Sequence, residues 1–476
     1  DERGTLTFSE VHRRTNALAR GLAVSGVAEG DGVAIMCRNH RGFVEATVAC
    51  AKLGAGALYL NTAFAGPQIA DVLRREDPVA VIYDEEFAGL VDEGAEGRKR
   101  YVVRDEPCAG GAETTLEQLI AAGGSGEPSP PAEKGRVVIL TSGTTGTPKG
   151  AARKQPDTLE PAAALFSKIP LKARETTVIA APMFHSWGYA HFTLALALSS
   201  TLVLRHRFDP EETLRAVSQH RASALAVVPV MLQRILDLGE ETLARYDTSS
   251  LRVIAASGSA LPGELATRAM DVFGEVLYNL YGSTEVAWAT IATPEDLRAA
   301  PGTAGRPPLG TVVKLLDADG LEVPPGASGR IFVANEMMFD GYTGGGGKEI
   351  LHGLMSTGDV GHLDADGRLF VDGRDDEMIV SGGENVFPRE VEDLLANHSS
   401  IEEVAVVGVP DEEWGQRLKA FVVLRAGAAA LSEDDVQEYV KENLARYKAP
   451  RDVVFLEQLP RNATGKVLKR ELHSVA

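Results

Sequence analysis

Cysteine is scarce in this 476-residue chain: Cys37, Cys50 and Cys108 are scattered at spacings that match no metal-ligand pattern. Three thiols cannot form a disulfide framework, and they read as free cysteines in a reducing cytoplasm. Positive charge is also short, with 48 Lys and Arg against 67 Asp and Glu and a net charge of −19. That balance argues against nucleic acid as the main partner, because a phosphate backbone calls for a basic surface. It does not exclude nucleotides, which need only a local cluster of donors and cations. Long apolar runs are missing as well. The best stretch, residues 192–204, is about 13 residues long and holds Ser199-Ser200-Thr201, short of the roughly 20 needed for a membrane span. No fixed-period repeat is visible.

What is present alternates. Ser9 is a suitable N-cap for a helix carrying Val11, Leu18 and Leu22, with Gly26 at its end. Strands are expected at 33–36 and 79–83, with helices at 43–53 and 67–75. A Gly/Pro/Ser-rich interval, 109–133, reads as a loop. Further strands are expected at 177–181, 201–204, 224–228, 252–256 and 276–280, with helical stretches between them. This is an α/β chain with two parallel-sheet subdomains, whose ligands belong at the carboxyl ends of the strands. From about residue 300, clustered Gly and Pro precede short strands at 311–316 and 329–334, which suggests a small β-rich subdomain. The chain is too long for one core. The expected division is a large N-terminal domain, 1–375, and a small mobile α+β C-terminal domain, 376–476.

Val137-Val138-Ile139-Leu140 reads as a buried strand running into Thr141-Ser142-Gly143-Thr144-Thr145-Gly146-Thr147-Pro148-Lys149-Gly150. Gly143 and Gly146 permit positive φ, so successive backbone N–H groups can converge on an anion. Hydroxyls and the Lys149 ammonium complete a polyphosphate cradle. It is not a Walker A loop, since Pro148 precedes the lysine and Gly150 follows it. The string resembles the phosphate loop of the adenylate-forming superfamily, which includes acyl-CoA synthetases and peptide-synthetase adenylation domains.

Further segments resemble the same superfamily, in order along the chain. Tyr281-Gly282-Ser283-Thr284-Glu285 follows an expected strand that includes Asn279, and Glu285 is a hard oxygen ligand suited to Mg²⁺ on nucleotide phosphates. Ser257-Gly258-Ser259 resembles the adenine-pocket segment. Ser356-Thr357-Gly358-Asp359 brings a carboxylate able to accept from both ribose hydroxyls. In Gly373-Arg374-Asp375-Asp376 the resemblance implies that Arg374 contacts ribose or phosphate and that Asp376 is an interdomain hinge. Lys466, in Asn462-Ala463-Thr464-Gly465-Lys466, is implied to reach the α-phosphate. Members of the superfamily usually carry a further segment before the point where this chain begins, so the N-terminus is expected to be incomplete.

The resemblance implies a reaction with ATP, Mg²⁺ and coenzyme A: carboxylate oxygen attacks the α-phosphorus, pyrophosphate leaves, and a thiol then displaces AMP. Lys149, Thr284, Glu285 and Lys466 are the implied catalytic set. Gly382, Gly383 and Glu384 resemble the loop lining a pantetheine tunnel, and Trp414, Tyr447, Lys448 and Arg451 are candidates for holding CoA. The amino-acid-activating branch carries Phe-Asp-x-Ser, whereas this chain reads Phe184-His185-Ser186-Trp187. An ammonium there would be buried without a countercharge, which is costly. His185, Trp187, Tyr189, Val228 and Ala287 are therefore expected to line an apolar acyl pocket. Over most of its length the chain looks most like bacterial long-chain fatty-acid–CoA ligases. An acyl-AMP ligase that omits the CoA step, and a binding protein without catalysis, are the alternatives. A homodimer is left open.

Overall fold

A computed structural model describes residues 1–92, 94–104, 114–141, 149–153, 158–381, 384–411, 415–428, 430–462 and 465–472. The chain divides into two compact units: Asp1–Ser257 with Ser283–Trp288 and Asn335–Lys348, and Gly258–Gly282 with Ala289–Ala334 and Glu349–Ala476.

The first unit contains an eight-stranded sheet. Its centre is parallel: Gly32–Met36 lies between Gly56–Tyr59 and Ala80–Asp84, and Val137–Thr141 pairs with Gly56–Tyr59. Apolar runs with alternate residues on opposite faces bury Ala34, Met36, Leu58, Val81, Tyr83 and Leu140 in one core. Lys149–Arg153 folds back antiparallel on Val137–Thr141, and Gly341–Tyr342 adds outside it, also antiparallel. Lys149 therefore opens a strand, where the sequence suggested the end of a loop. Gly150 is required there, because a Cβ would come within 2.6 Å of the Thr343 hydroxyl and 2.8 Å of Val138. A second parallel array in this unit comprises Thr176–Ile179, Thr201–Leu204, Ala224–Val227 and Val253–Ala256. Both parallel sheets anticipated from the alternation are present.

Four local readings change. The first helix, Phe8–Val24, is capped by Thr7 and not Ser9, because Glu10 sits three residues on and closes a capping box with it. The 109–133 interval is not one loop: it holds the helix Leu116–Gly123, capped by Thr115 and Gln118. Strand Lys99–Val103, which the sequence reading passed over, pairs parallel with Ala80–Asp84. Tyr281 belongs to strand Leu277–Tyr281 and does not follow it.

In the second unit, Leu277–Tyr281 pairs antiparallel with Thr290–Ala292. A β-rich sheet runs Val312–Leu316, Gly329–Ala334, Leu354–Leu363, Ile350–Leu351, with Leu369–Arg374 also on Leu354–Leu363. The last sheet joins the long hairpin Ile401–Asp411 and Gly415–Leu424 to Ile379–Ser381 and Asp452–Phe455. Helices Pro388–Ala396 and Glu433–Asn443 cover it, burying Val391, Leu395, Val436 and Val440. Each of these side chains contributes about 1.5–3 kcal/mol of apolar burial. Among the described residues, no helix is long and apolar enough to cross a membrane.

Candidate active site

Ser142, Gly143, Thr144, Thr145 and Gly146 lie outside the described residues, as does the Thr141 side chain. The strands on either side of that loop are described, and they fix where it starts and ends: Thr141 pairs with Lys149 across the antiparallel ladder.

Three segments of the first unit meet around Glu285. Its side chain is buried, 8% exposed, and the Tyr342 hydroxyl donates to its Oε1 at 2.7 Å. The Ser283 hydroxyl accepts from the Glu285 backbone N–H at 3.2 Å, which turns the chain sharply at this point. Thr284 is near Ser186 through their hydroxyls at 3.3 Å, and its carbonyl accepts from Arg153 at 2.6 Å. The Lys149 ammonium stands 5.1 Å from the Tyr342 ring centroid. Burial lowers the Arg153 guanidinium to about 10, with Glu285 and Asp340 opposing, so it keeps its charge at neutral pH. Arg153 and Tyr342 carry no motif of their own; no sequence signal marked them.

The donor set suits Mg²⁺. It offers a buried carboxylate with the Tyr342 hydroxyl oxygen beside it. Glu285 would hold the ion, which would neutralise charge on the phosphates of a bound nucleotide.

In the second unit the residues expected on the ribose side contact one another. Tyr281 donates its hydroxyl to Asp359 Oδ2 at 2.5 Å, and Arg374 donates to Asp359 Oδ1 at 3.2 Å. Asp359 lies on Leu354–Leu363 opposite Arg374 on Leu369–Arg374, so the pairing of two neighbouring strands sets this contact. Burial raises the Asp359 carboxyl above its ordinary value, while Arg374, Tyr281 and Lys466 pull against that rise. Burial, then the Asp359 charge, pushes the Tyr281 phenol well up, so it stays a donor. Asn279 is buried and its side-chain carbonyl has no partner among the described residues. Such an atom is open to an exocyclic amine or hydroxyl of a ligand. Lys466 is exposed; its N–H donates to Asn462 Oδ1 at 2.9 Å, holding the turn that presents it.

Ser257 is buried at the end of Val253–Ala256, in the first unit; Gly258 and Ser259 open the second. Ala287 has φ 61°, an uncommon left-handed conformation for a residue with a Cβ.

Of the residues expected to line the acyl pocket, His185 is the N-cap of helix Ser186–Ala197 but makes no side-chain cap bond. Its Nε2 is enclosed without a partner among the described residues, and burial lowers the ring to about 4. The ring is neutral at pH 7. Trp187 is buried with its N–H donated to Val227 O at 3.0 Å, and Val228 is 2% exposed. Tyr189 packs on Tyr59 at 5.2 Å and Phe192 at 6.1 Å between ring centroids. His191, 2% exposed, sits edge-on to Trp187 and is likewise lowered to about 4 by burial.

Both histidines exclude a proton that the unfolded chain accepts near pH 6.5, so their contribution is complete above that value and is lost as pH falls towards 4. Each contributes about 3 kcal/mol over that window. Thermal melts from pH 7.5 to 4.5 are expected to fall more steeply for the native chain than for His191→Phe. Parallel curves would contradict the assignment for His191.

Gly382, Gly383 and Trp414 lie outside the described residues, and of Glu384 only the backbone is described, in strand Glu384–Val386. Lys448 pairs with Glu390 at 2.6 Å and lies 5.8 Å from the centroid of the exposed Tyr447 ring. Arg451 donates its backbone N–H to Leu418 O. For Asp376 only the backbone is described, within the turn Asp375–Glu377.

Residues 1–343 match the model for AMP-binding enzymes, and residues 390–466 match that for the AMP-binding enzyme C-terminal domain. Indoleacetate–CoA ligase from Aromatoleum aromaticum is 34% identical over 480 residues, covering 99% of this chain and 93% of that protein. Feruloyl-CoA synthase from Amycolatopsis sp. is 34% identical over 474 residues, covering 98% and 93%. The structure of o-succinylbenzoate CoA synthetase from Bacillus subtilis with its acyl-adenylate intermediate superposes with a TM-score of 0.87 at 27% identity, over 99% of this chain and 94% of that one. With both family models matched and relatives of 34% identity covered almost end to end, the chain belongs to the AMP-binding enzymes, among the ATP-dependent acyl- and aryl-CoA ligases of the adenylate-forming superfamily.

Proposed function

We propose that this ligase activates an apolar carboxylic acid, with an aryl-bearing acid preferred over a linear fatty acid, and passes the acyl group to CoA. The observation that carries the reading is the neutral His185 at the position where an amino-acid-activating enzyme has aspartate. The acyl-side residues offer no countercharge for an ammonium. Tyr189, backed by Tyr59 and Phe192, supplies aromatic faces and edges that suit a planar substrate. The relatives named for indoleacetate and ferulate point the same way. A fatty acid remains the second reading, because an apolar wall rewards each buried CH₂ by about 0.8 kcal/mol whatever its shape.

In this reading, as the resemblance implies residue by residue, Lys149 and Glu285 serve the pyrophosphate portion of ATP, Asp359 and Arg374 the ribose, and Asn279 and Ser257–Ser259 the adenine. Lys466 supplies positive charge at the α-phosphate. The boundary proposed near Asp376 falls between the two matched regions, 1–343 and 390–466, which supports a separate C-terminal domain. A cytoplasmic setting suits Cys37 and Cys50, both buried free thiols.

Competition among indoleacetate, ferulate, benzoate, octanoate, palmitate and leucine, read as acyl-CoA by mass, tests the substrate class. An aromatic acid is expected to lead and leucine to give no product. Leucine as the preferred acid would sink the reading; palmitate would replace it with the fatty-acid one.

A further inference from the structure

Tyr342 belongs to none of the motifs that carry the nucleotide assignments, yet it touches both groups placed on the pyrophosphate side. Its hydroxyl donates to Glu285 Oε1 at 2.7 Å, and its ring centroid lies 5.1 Å from the Lys149 ammonium. The backbone fixes this position twice. Strand Gly341–Tyr342 pairs with Lys149–Arg153 so that Tyr342 faces Ala151, and the Thr343 N–H donates to Gly150 O at 2.9 Å. The Phe339 N–H donates to Glu285 O at 2.8 Å, and the Phe339 ring meets the Tyr342 ring edge-on at 4.9 Å. One tyrosine is thereby clamped between the strand that leaves the phosphate loop and the segment that carries Glu285.

We infer that Tyr342 is a positioning residue for the metal–phosphate side of the site, orienting the Glu285 carboxylate and the Lys149 ammonium together; this rests on the reading of Glu285 as the Mg²⁺ ligand. The chemistry is that of an outer partner to a metal ligand. A carboxylate offers about four lone-pair directions, so one hydrogen bond fixes its rotamer while leaving capacity for a hard cation. A hydroxyl that donates to a carboxylate also enriches its ring, which strengthens the attraction of the ring face for a nearby ammonium. The two contacts reinforce each other, and neither needs Tyr342 to touch ATP.

Calorimetric titration with α,β-methylene-ATP, in EDTA and then across Mg²⁺ concentrations, separates orientation of the metal ligand from general damage. Tyr342→Phe keeps the ring and loses the hydroxyl. It is expected to bind the analogue in EDTA as the native enzyme does, while the Mg²⁺ concentration for half-maximal enhancement rises about tenfold. Tyr342→Leu, which also loses the ring, is expected to weaken binding in EDTA as well. Glu285→Gln is the reference and should lose most of the Mg²⁺ enhancement. If Glu285→Gln loses the enhancement and Tyr342→Phe keeps the native Mg²⁺ dependence, the inference for Tyr342 is overturned while the reading of Glu285 stands. If Glu285→Gln keeps the native dependence, the reading of Glu285 fails and the inference goes with it. A loss for Tyr342→Phe that is equal with and without Mg²⁺ would overturn the inference in favour of a purely structural role.

Discussion

Replacing Lys466 with alanine is expected to slow pyrophosphate release by about 100- to 1,000-fold, the loss typical of one charge-stabilising group. Thioester formation from supplied acyl-AMP should stay within a few-fold of native, because pyrophosphate has already gone. The residue is suited to this split. It is exposed, it is presented by a turn closed through Asn462, and its charge acts on Asp359, the proposed ribose ligand. A solvated lysine without a role would change neither step. A Lys466→Ala enzyme that adenylates at the native rate would remove this residue from the proposed mechanism.

The second large effect is expected at Asp376. Its neighbours on both sides are tethered: Asp375 pairs with Arg330 at 3.2 Å, and Glu377 with Lys469 at 3.3 Å. Proline fixes φ near −65° and restricts the residue before it. If Asp376 is the hinge between the two half-reactions, Asp376→Pro keeps adenylation and lowers thioester formation on the order of 100-fold, since small misplacements of reacting groups are that costly. Asp376→Ala, which leaves rotation free, should retain both. Equal loss of both steps in the proline variant, with an unchanged melting temperature, would place the hinge elsewhere.

Much of the architecture was legible because local and tertiary demands agree. Residues 33–36, 79–83 and 224–228 are apolar runs bounded by turn residues, and each becomes a buried parallel strand to within a residue or two. Departures occur where one signal masks another. The Gly and Pro residues around 109–133 hid the helix Leu116–Gly123, although Thr115 and Gln118 spell its capping box. Lys99–Val103 begins with two charged residues and does not look apolar until Tyr101. The Asp359–Arg374 contact could be suspected from paired motifs, and strand pairing realises it. Tyr342 could not be found this way. Its contacts join residue 342 to residues 149 and 285, and only the addition of a two-residue strand at the sheet edge brings them together.

The most direct measurement follows oxygen. With a carboxylic acid labelled with ¹⁸O in both carboxylate oxygens, turnover with ATP and CoA should place one labelled oxygen in AMP, because the carboxylate attacks the α-phosphorus and AMP departs with that oxygen when the thiol adds. Recovery of the label in inorganic phosphate, with ADP as the nucleotide product, would contradict adenylate formation outright.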